Sequence, residues 1–285
     1  MQSNNPVFRR SEEFNRGGGQ QTYAQYGQQS PANWQTGPTG GAFGYDDVRQ
    51  GTPATGGGLM TIDTVVQKTA MTLGVVILTA LATWILTPDI DAFSPNLGAL
   101  YGAATIGALG AFALSMVNSF KRVISPALVI AFAAFEGVAL GAISKAFDAQ
   151  FGDGVVSGAV IGTFAAFAGT LAAYKFFNIQ VGQKFKMFVM AAVFGMIGLS
   201  LMELVLGIFG AQIGLFGVSG LGMVTAVIGL VLGVFMLVMD FDFVEQGIRN
   251  QIHERESWRA AFAMTVSLVW IYTNLLRILA FFSQD

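Results

Sequence analysis

Seven apolar runs, each long enough to cross a lipid bilayer, fill the sequence after Thr61. A membrane-spanning helix needs about 20 apolar residues, and the seven runs lie at Val65–Leu86, Gly98–Val117, Pro126–Phe147, Val155–Phe177, Met187–Gly210, Gly220–Phe243 and Trp258–Phe282. The chain is 53% hydrophobic and 11% charged, whereas soluble domains carry about 25% charged residues. It has too few polar side chains to cover a water-facing surface. This predicts an all-α, polytopic protein of the cell (plasma) membrane, with seven transmembrane helices in a domain over residues 60–285.

Residues 1–59 differ from the rest of the chain, since they are rich in Gly, Gln, Ser and Pro and contain few aliphatic side chains. Such a segment cannot bury enough apolar surface to offset the entropy lost on ordering. It also lacks the short basic head and apolar core of a signal peptide. We therefore expect a disordered tail, which serves either as a solubilising leader or as a low-complexity interaction segment.

The basic residues indicate the orientation, because cytoplasmic loops are enriched in Lys and Arg. All of them except Lys145 and Arg277 fall in the tail, at the start of the first run, or in alternate loops. This predicts a cytoplasmic amino terminus, and seven crossings then place the carboxyl terminus outside.

Several function classes are disfavoured by what the sequence lacks. It contains no cysteine and a single histidine, His253, so it offers neither a thiol nucleophile nor a multi-histidine metal cluster. The HExxH and GxxxxGK[ST] motifs are missing, and the seventh run has no lysine to form a retinal Schiff base. A net charge of −2 gives no general attraction to nucleic acid. We expect a protein that is not an enzyme and has no cofactor, with the bilayer and other membrane proteins as its candidate partners.

Charged residues inside the runs are the candidate functional groups, because a charge near the bilayer centre costs roughly 2.5–3.5 kcal/mol. Glu136 lies near the middle of the third run, with no basic residue at matching depth. It either forms a hydrogen bond to a neighbouring helix or lines a wet cavity, where it could exchange protons or hold a cation. Glu203 and Arg277 lie at similar depth on the outer side, so they either pair across helices or extend separately to the headgroups.

The stretch MDFDFVEQG closes the sixth run with Asp240 and Asp242. If the helix begins at Gly220, Asp240 marks the cytoplasmic surface; if it begins nearer Thr225, the aspartates lie deeper. The two are about 200° apart around a helix, so both cannot face one centre.

The seven runs, with FEGVALGAIS in the third, MDFDFVEQGI closing the sixth and WIYTNLLRIL in the seventh, resemble the Bax inhibitor-1 family. The leader and LMTIDTVVQKTAMTLGVV are similar to a bacterial, actinobacterial-type branch, which would mean the bacterial inner membrane. The resemblance implies six helices around a central seventh and a pH-sensitive calcium leak, with Ca²⁺ as the transported ion. It also implies a gate of two aspartates, one closing the sixth span and one on the seventh.

This sequence departs from that gate. The sixth-span position matches Asp240 or Asp242, but alignment on Arg277 places Ser267 where the second aspartate is expected. A different partner, with Glu136 the first candidate, would have to complete a calcium site. Two hypotheses follow: a pH-gated cation pathway that uses Asp240, Asp242 and Glu136, or a non-conducting protein that acts by binding other membrane proteins.

Overall fold

The computed structural model describes residues 58–88, 97–152, 154–177, 179–211 and 213–284, so the predicted tail lies outside the described residues except at its end. Within these ranges the chain forms helices and no strand, and seven helices are long and apolar enough to cross a membrane. They are α1 (Ile62–Leu86), α2 (Leu97–Phe120), α3 (Pro126–Phe151), α4 (Val155–Phe176), α5 (Gln183–Ile208), α6 (Gly220–Arg249) and α7 (Ser257–Phe282). The predicted fold class is confirmed: the protein is a multi-pass membrane protein.

The largest difference from the predicted spans is in α6, which begins at Gly220 but continues past Phe243 to Arg249. Its 30 residues make a rod about 45 Å long, which exceeds the roughly 30 Å thickness of the hydrocarbon core. Ser219 caps its start by accepting a hydrogen bond from the Gly222 amide at 3.1 Å. The helix therefore extends beyond the apolar layer at its carboxyl end.

Helix α7 is the centre of the bundle, since it packs against α1, α3, α4 and α6. Its buried side chains include Thr265, Ser267, Ile271 and Leu276. The main packing of α2 is with α3, and that of α5 is with α6. The expected central seventh helix is thus present, and α2 and α5 are the most peripheral elements.

Glycines allow the helices to approach closely where side chains would not fit. A Cβ added to Gly137 or Gly141 would collide with the α1 backbone at Val76 or Ala80. Gly229 of α6 is similarly covered by the side chain of Asn274. No hydrophobic driving force holds helices together in lipid. The close approach that these glycines permit strengthens the van der Waals contact between the helices instead.

The segment before α1 is tied to the segment before α7. Leu59 and His253 form an isolated antiparallel bridge, with the Met60 amide donating to the Ile252 carbonyl at 2.9 Å and the Glu254 amide to the Gly58 carbonyl at 2.8 Å. Lys68 strengthens the tie through an ion pair to Glu254 at 2.8 Å.

The α2–α3, α4–α5 and α6–α7 loops lie at the same end of the bundle, because successive helices alternate in direction. These loops and the adjoining helix ends carry Lys121, Arg122, Lys175, Lys184, Lys186, Arg249, Arg255 and Arg259. We call this end the basic end. Its assignment to the cytoplasm stays a prediction from the distribution of Lys and Arg.

Candidate functional site

Asp240 faces the central helix. It lies on α6, and its carboxylate Oδ2 accepts a hydrogen bond from the Ser267 hydroxyl of α7 at 2.6 Å. Ser267 is 1% exposed and Asp240 is partly buried. By the resemblance, the second aspartate is expected at the position of Ser267, and the structure pairs this serine with Asp240 rather than with Asp242.

Asp242 faces the opposite side of α6, as the helical period predicts for residues two apart. Its Oδ2 pairs with Lys186 Nζ of α5 at 2.6 Å and accepts a hydrogen bond from Gln246 at 2.7 Å. This aspartate therefore holds the peripheral helix α5 against α6. It makes no contact of this kind with α7 within the described residues.

Glu245 is the third carboxylate of the MDFDFVEQG stretch and lies about one helical turn nearer the basic end than Asp242. It accepts a hydrogen bond from the Tyr174 hydroxyl of α4 at 2.6 Å and pairs with Arg249 on its own helix. These contacts were not predicted from the sequence, in which only the four-residue spacing of Glu245 and Arg249 indicates one of them.

Glu136 lies on the face of α3 that is directed toward the centre. Ala133 and Leu140, three residues before and four after it, pack in one cluster with Val76 and Tyr272, and residues at these spacings share a helix face. Among the described residues, Glu136 has no hydrogen-bond or ion-pair partner. The sequence-based alternative of a hydrogen bond to a neighbouring helix is therefore not realised in this structure.

Glu136 and Ser267 lie at the same depth. Each is about 15 Å along its helix from the basic end, at about 1.5 Å per residue. The two helices run parallel in register there, since the rings of Phe132 and Phe262 are 4.9 Å apart. Asp240 shares this level through its hydrogen bond to Ser267, so carboxyl groups on α3 and α6 occupy one layer around α7.

This layer is not a preformed metal cage. No group of three or more His, Cys, Asp or Glu side chains that could hold a metal ion occurs in the part of the chain that the structure describes. Calcium prefers six to eight oxygen ligands, which these carboxyls cannot supply alone. The arrangement can attract a passing cation and can bind or release a proton, but it has too few ligands to retain a metal.

Of the two alternatives for Glu203 and Arg277, the direct ion pair across helices is not formed among the described residues. Glu203 Oε1 instead accepts a hydrogen bond from the Gly214 amide at 2.8 Å. Arg277 donates to the Leu215 carbonyl, the Gly222 carbonyl and the Thr225 hydroxyl, each at 2.9 Å. Both side chains bind the α5–α6 loop, so backbone atoms of Gly214 and Leu215 separate the two charges.

Arg277 thus holds the α5–α6 loop over the end of α7. Phe216 of that loop covers the guanidinium, with its ring centroid 5.2 Å from the guanidinium carbon. An arginine that satisfies loop carbonyls removes unpaired acceptors from the apolar layer, where each would cost several kcal/mol. Its role is to close the bundle at the end away from the basic loops.

A family model described as Bax inhibitor 1 like matches residues 5–284, nearly the whole chain. No curated protein sequence matches the chain.

Proposed function

The chain belongs to the Bax inhibitor 1 like family, and on that premise we propose that it is a pH-sensitive leak pathway for calcium or a similar cation. The pathway follows α7, and Asp240 is the carboxylate that contacts the ion. We place the protein in the bacterial plasma membrane, as the resemblance of its leader suggests.

The observation that supports this proposal most is the 2.6 Å hydrogen bond between Asp240 and Ser267. It joins α6 to the central helix at a partly buried carboxylate. Acidic groups within membrane spans are costly and are mostly found along ion or proton pathways. Glu136, which is unpartnered at the same level, supplies a second acidic group toward α7.

Ser267 makes the response to protons different from that of a gate built of two aspartates. Two carboxyls held together share a proton and repel when both ionise. A hydroxyl can accept a hydrogen bond from a protonated carboxyl and can donate one to a carboxylate. The contact between Asp240 and Ser267 therefore survives in both protonation states, and only the charge of Asp240 changes.

The sign of the pH effect follows from that charge. At low pH Asp240 is neutral and offers a cation no Coulombic attraction. As pH rises, the carboxyl loses its proton and attracts the cation, so flux increases with pH.

A second candidate function is a non-conducting membrane protein that acts by binding other membrane proteins. One observation favours it: Ser267 stands where the family pattern has an acid, so the paired-carboxylate gate is incomplete. In that case the carboxylates serve topology and packing.

Calcium flux into liposomes that contain the purified protein tests the proposal. Asp240→Asn retains a hydrogen-bonding oxygen for Ser267 but has no charge, so we expect flux at pH 8 to fall by about tenfold or more. Glu136→Gln, which disturbs no partner, should express normally and lower flux as well. Asp242→Asn is the matched control on the same helix and should retain most of the flux.

The outcomes separate the two candidates. Equal loss of calcium flux in the Asp240→Asn and Asp242→Asn variants would contradict a special role for Asp240. Flux no higher than in empty liposomes for every variant would favour the partner-binding candidate.

A further inference from the structure

A cavity of about 310 Å³ lies among α1, α3, α4 and α7, in the half of the bundle away from the basic end. Its wall on α1 extends from Leu73 to Trp84, close to the end of that helix. Across the cavity, Val156 and Val160 line it near the start of α4. No step of the proposed leak uses this space.

The hydroxyl groups in the cavity wall already have partners. Ser144 Oγ donates to the Leu140 carbonyl at 2.6 Å and shares a 2.6 Å hydrogen bond with the Tyr272 hydroxyl. Thr163 Oγ1 donates to the Ala159 carbonyl at 2.7 Å. A buried water needs two to four polar partners, and a cavity that lacks them remains dry. The occupant that fits this lining is therefore apolar.

The cavity is open to the side, toward the lipid. Ile77 and Leu81 of α1 line it and are 45% and 53% exposed, and Phe164 of α4 lines it and is 53% exposed. These side chains lie on membrane-spanning helices, so the medium that meets their exposed surfaces is hydrocarbon.

The dimensions match one lipid chain. From Leu73 to Trp84 the cavity wall is about 16 Å long at the helical rise, close to half of the roughly 30 Å hydrocarbon core, which is the length of a chain in one leaflet. An apolar cavity of about 150 Å³ holds the six carbons of benzene. The volume of about 310 Å³ is therefore enough for about a dozen carbons.

We propose that this cavity binds one acyl chain of a bilayer phospholipid, from the leaflet away from the basic end. The acyl chain enters between α1 and α4 and lies against Leu268 and Tyr272 of the central helix. This site does not rest on the proposed leak, because a chain can bind in a protein that passes no ion.

Photolabelling of the full-length protein in phosphatidylcholine nanodiscs tests this site. The probe is phosphatidylcholine with a diazirine in the middle of one acyl chain, and mass spectrometry locates the adducts. Leu268 and Tyr272 are 6% and 9% exposed, so lipid that merely surrounds the bundle cannot reach them. We expect adducts on these two residues as well as on the outer faces of the helices.

Two matched pairs of variants test the path of the acyl chain into the cavity. Ile77→Phe and Val160→Phe narrow the cavity from opposite walls and should lower labelling of Tyr272 by about fivefold or more, because the ring takes the space of the chain. Leu78→Phe and Ile161→Phe alter the adjacent residues, which face lipid outside the cavity and are 67% and 69% exposed, and should leave labelling unchanged.

Either narrowing variant that elutes as a folded monodisperse protein is sufficient for the test. Labelling that never reaches Leu268 or Tyr272 would overturn the proposal. So would labelling of Tyr272 that narrowing leaves intact.

Discussion

Each carboxylate of the MDFDFVEQG stretch has a partner on a different element. Asp240 bonds Ser267 on α7, Asp242 pairs with Lys186 on α5, and Glu245 bonds a residue of α4. The positions advance around α6 by about 100° per residue, so a single short stretch contacts three neighbouring helices. Only the contact with α7 reaches the centre of the bundle, and for this reason we propose a functional role for Asp240 and a structural one for Asp242.

Lys186→Met tests the structural role of Asp242. It should lower the free energy of unfolding by about 1–3 kcal/mol, because it leaves a buried carboxylate with only Gln246 as a partner. Thermal unfolding in detergent, followed by the loss of monodisperse protein, measures the effect. The double variant Lys186→Met/Asp242→Asn should recover part of the loss, whereas additive losses would contradict a coupled pair.

The helical period predicted that Asp240 and Asp242 face opposite sides, but not which one faces α7. That depends on the rotation of α6 about its axis, which is set by its packing against α5 and α7. The sequence could not decide between the two alternatives for Glu203 and Arg277 for a related reason. Depth along a helix can be estimated from sequence, but the fold of the α5–α6 loop between the two charges cannot.

At the scale of elements, the spans were predictable from the sequence. In lipid each helix must satisfy its backbone N–H and C=O groups with its own hydrogen bonds, so one span coincides with one apolar run. The end of α6 was not predictable, since the residues after Phe243 are mixed polar and apolar. They are held by a contact with α4 and by the ion pair within α6 itself. The structure places the glycines of α3 in close packing against α1.

Gly137→Ala tests the crossing of α1 and α3. The added methyl group would collide with the Val76 carbonyl and the Thr79 hydroxyl, so we expect a loss of about 1–3 kcal/mol in stability. Gly169→Ala on α4 is the control, because a Cβ there has no neighbour within 4 Å and alanine favours a helix. Equal thermal stability of the two variants would contradict the close crossing.

At the scale of the whole molecule, one helix connects the candidate sites. α7 carries Ser267 at the Asp240 layer, Tyr272 at the apolar cavity and Arg277 at the closed end. A shift of α7 along its axis would alter all three sites. The family resemblance and the structure agree on this central position, which hydropathy alone does not reveal.

The absence of native cysteine makes the predicted orientation easy to test. In intact cells, Lys121→Cys at the basic end should be protected from a membrane-impermeant maleimide, and Gln284→Cys should react. Both positions are exposed, so permeabilised cells should label both equally. The reverse pattern would place the basic end outside.

The most direct test of the central claim is the pH dependence of calcium flux in liposomes for the wild type and Ser267→Asp. If Asp240 is the controlling group, wild-type flux should rise with pH as Asp240 loses its proton. Ser267→Asp places a second carboxyl within hydrogen-bond reach of Asp240 and should spread the rise of flux over two steps, the second at higher pH, because two close carboxyls resist a second ionisation. Identical pH profiles of flux for the two proteins, or wild-type flux that does not change with pH, would contradict the assignment of Asp240 as the controlling group.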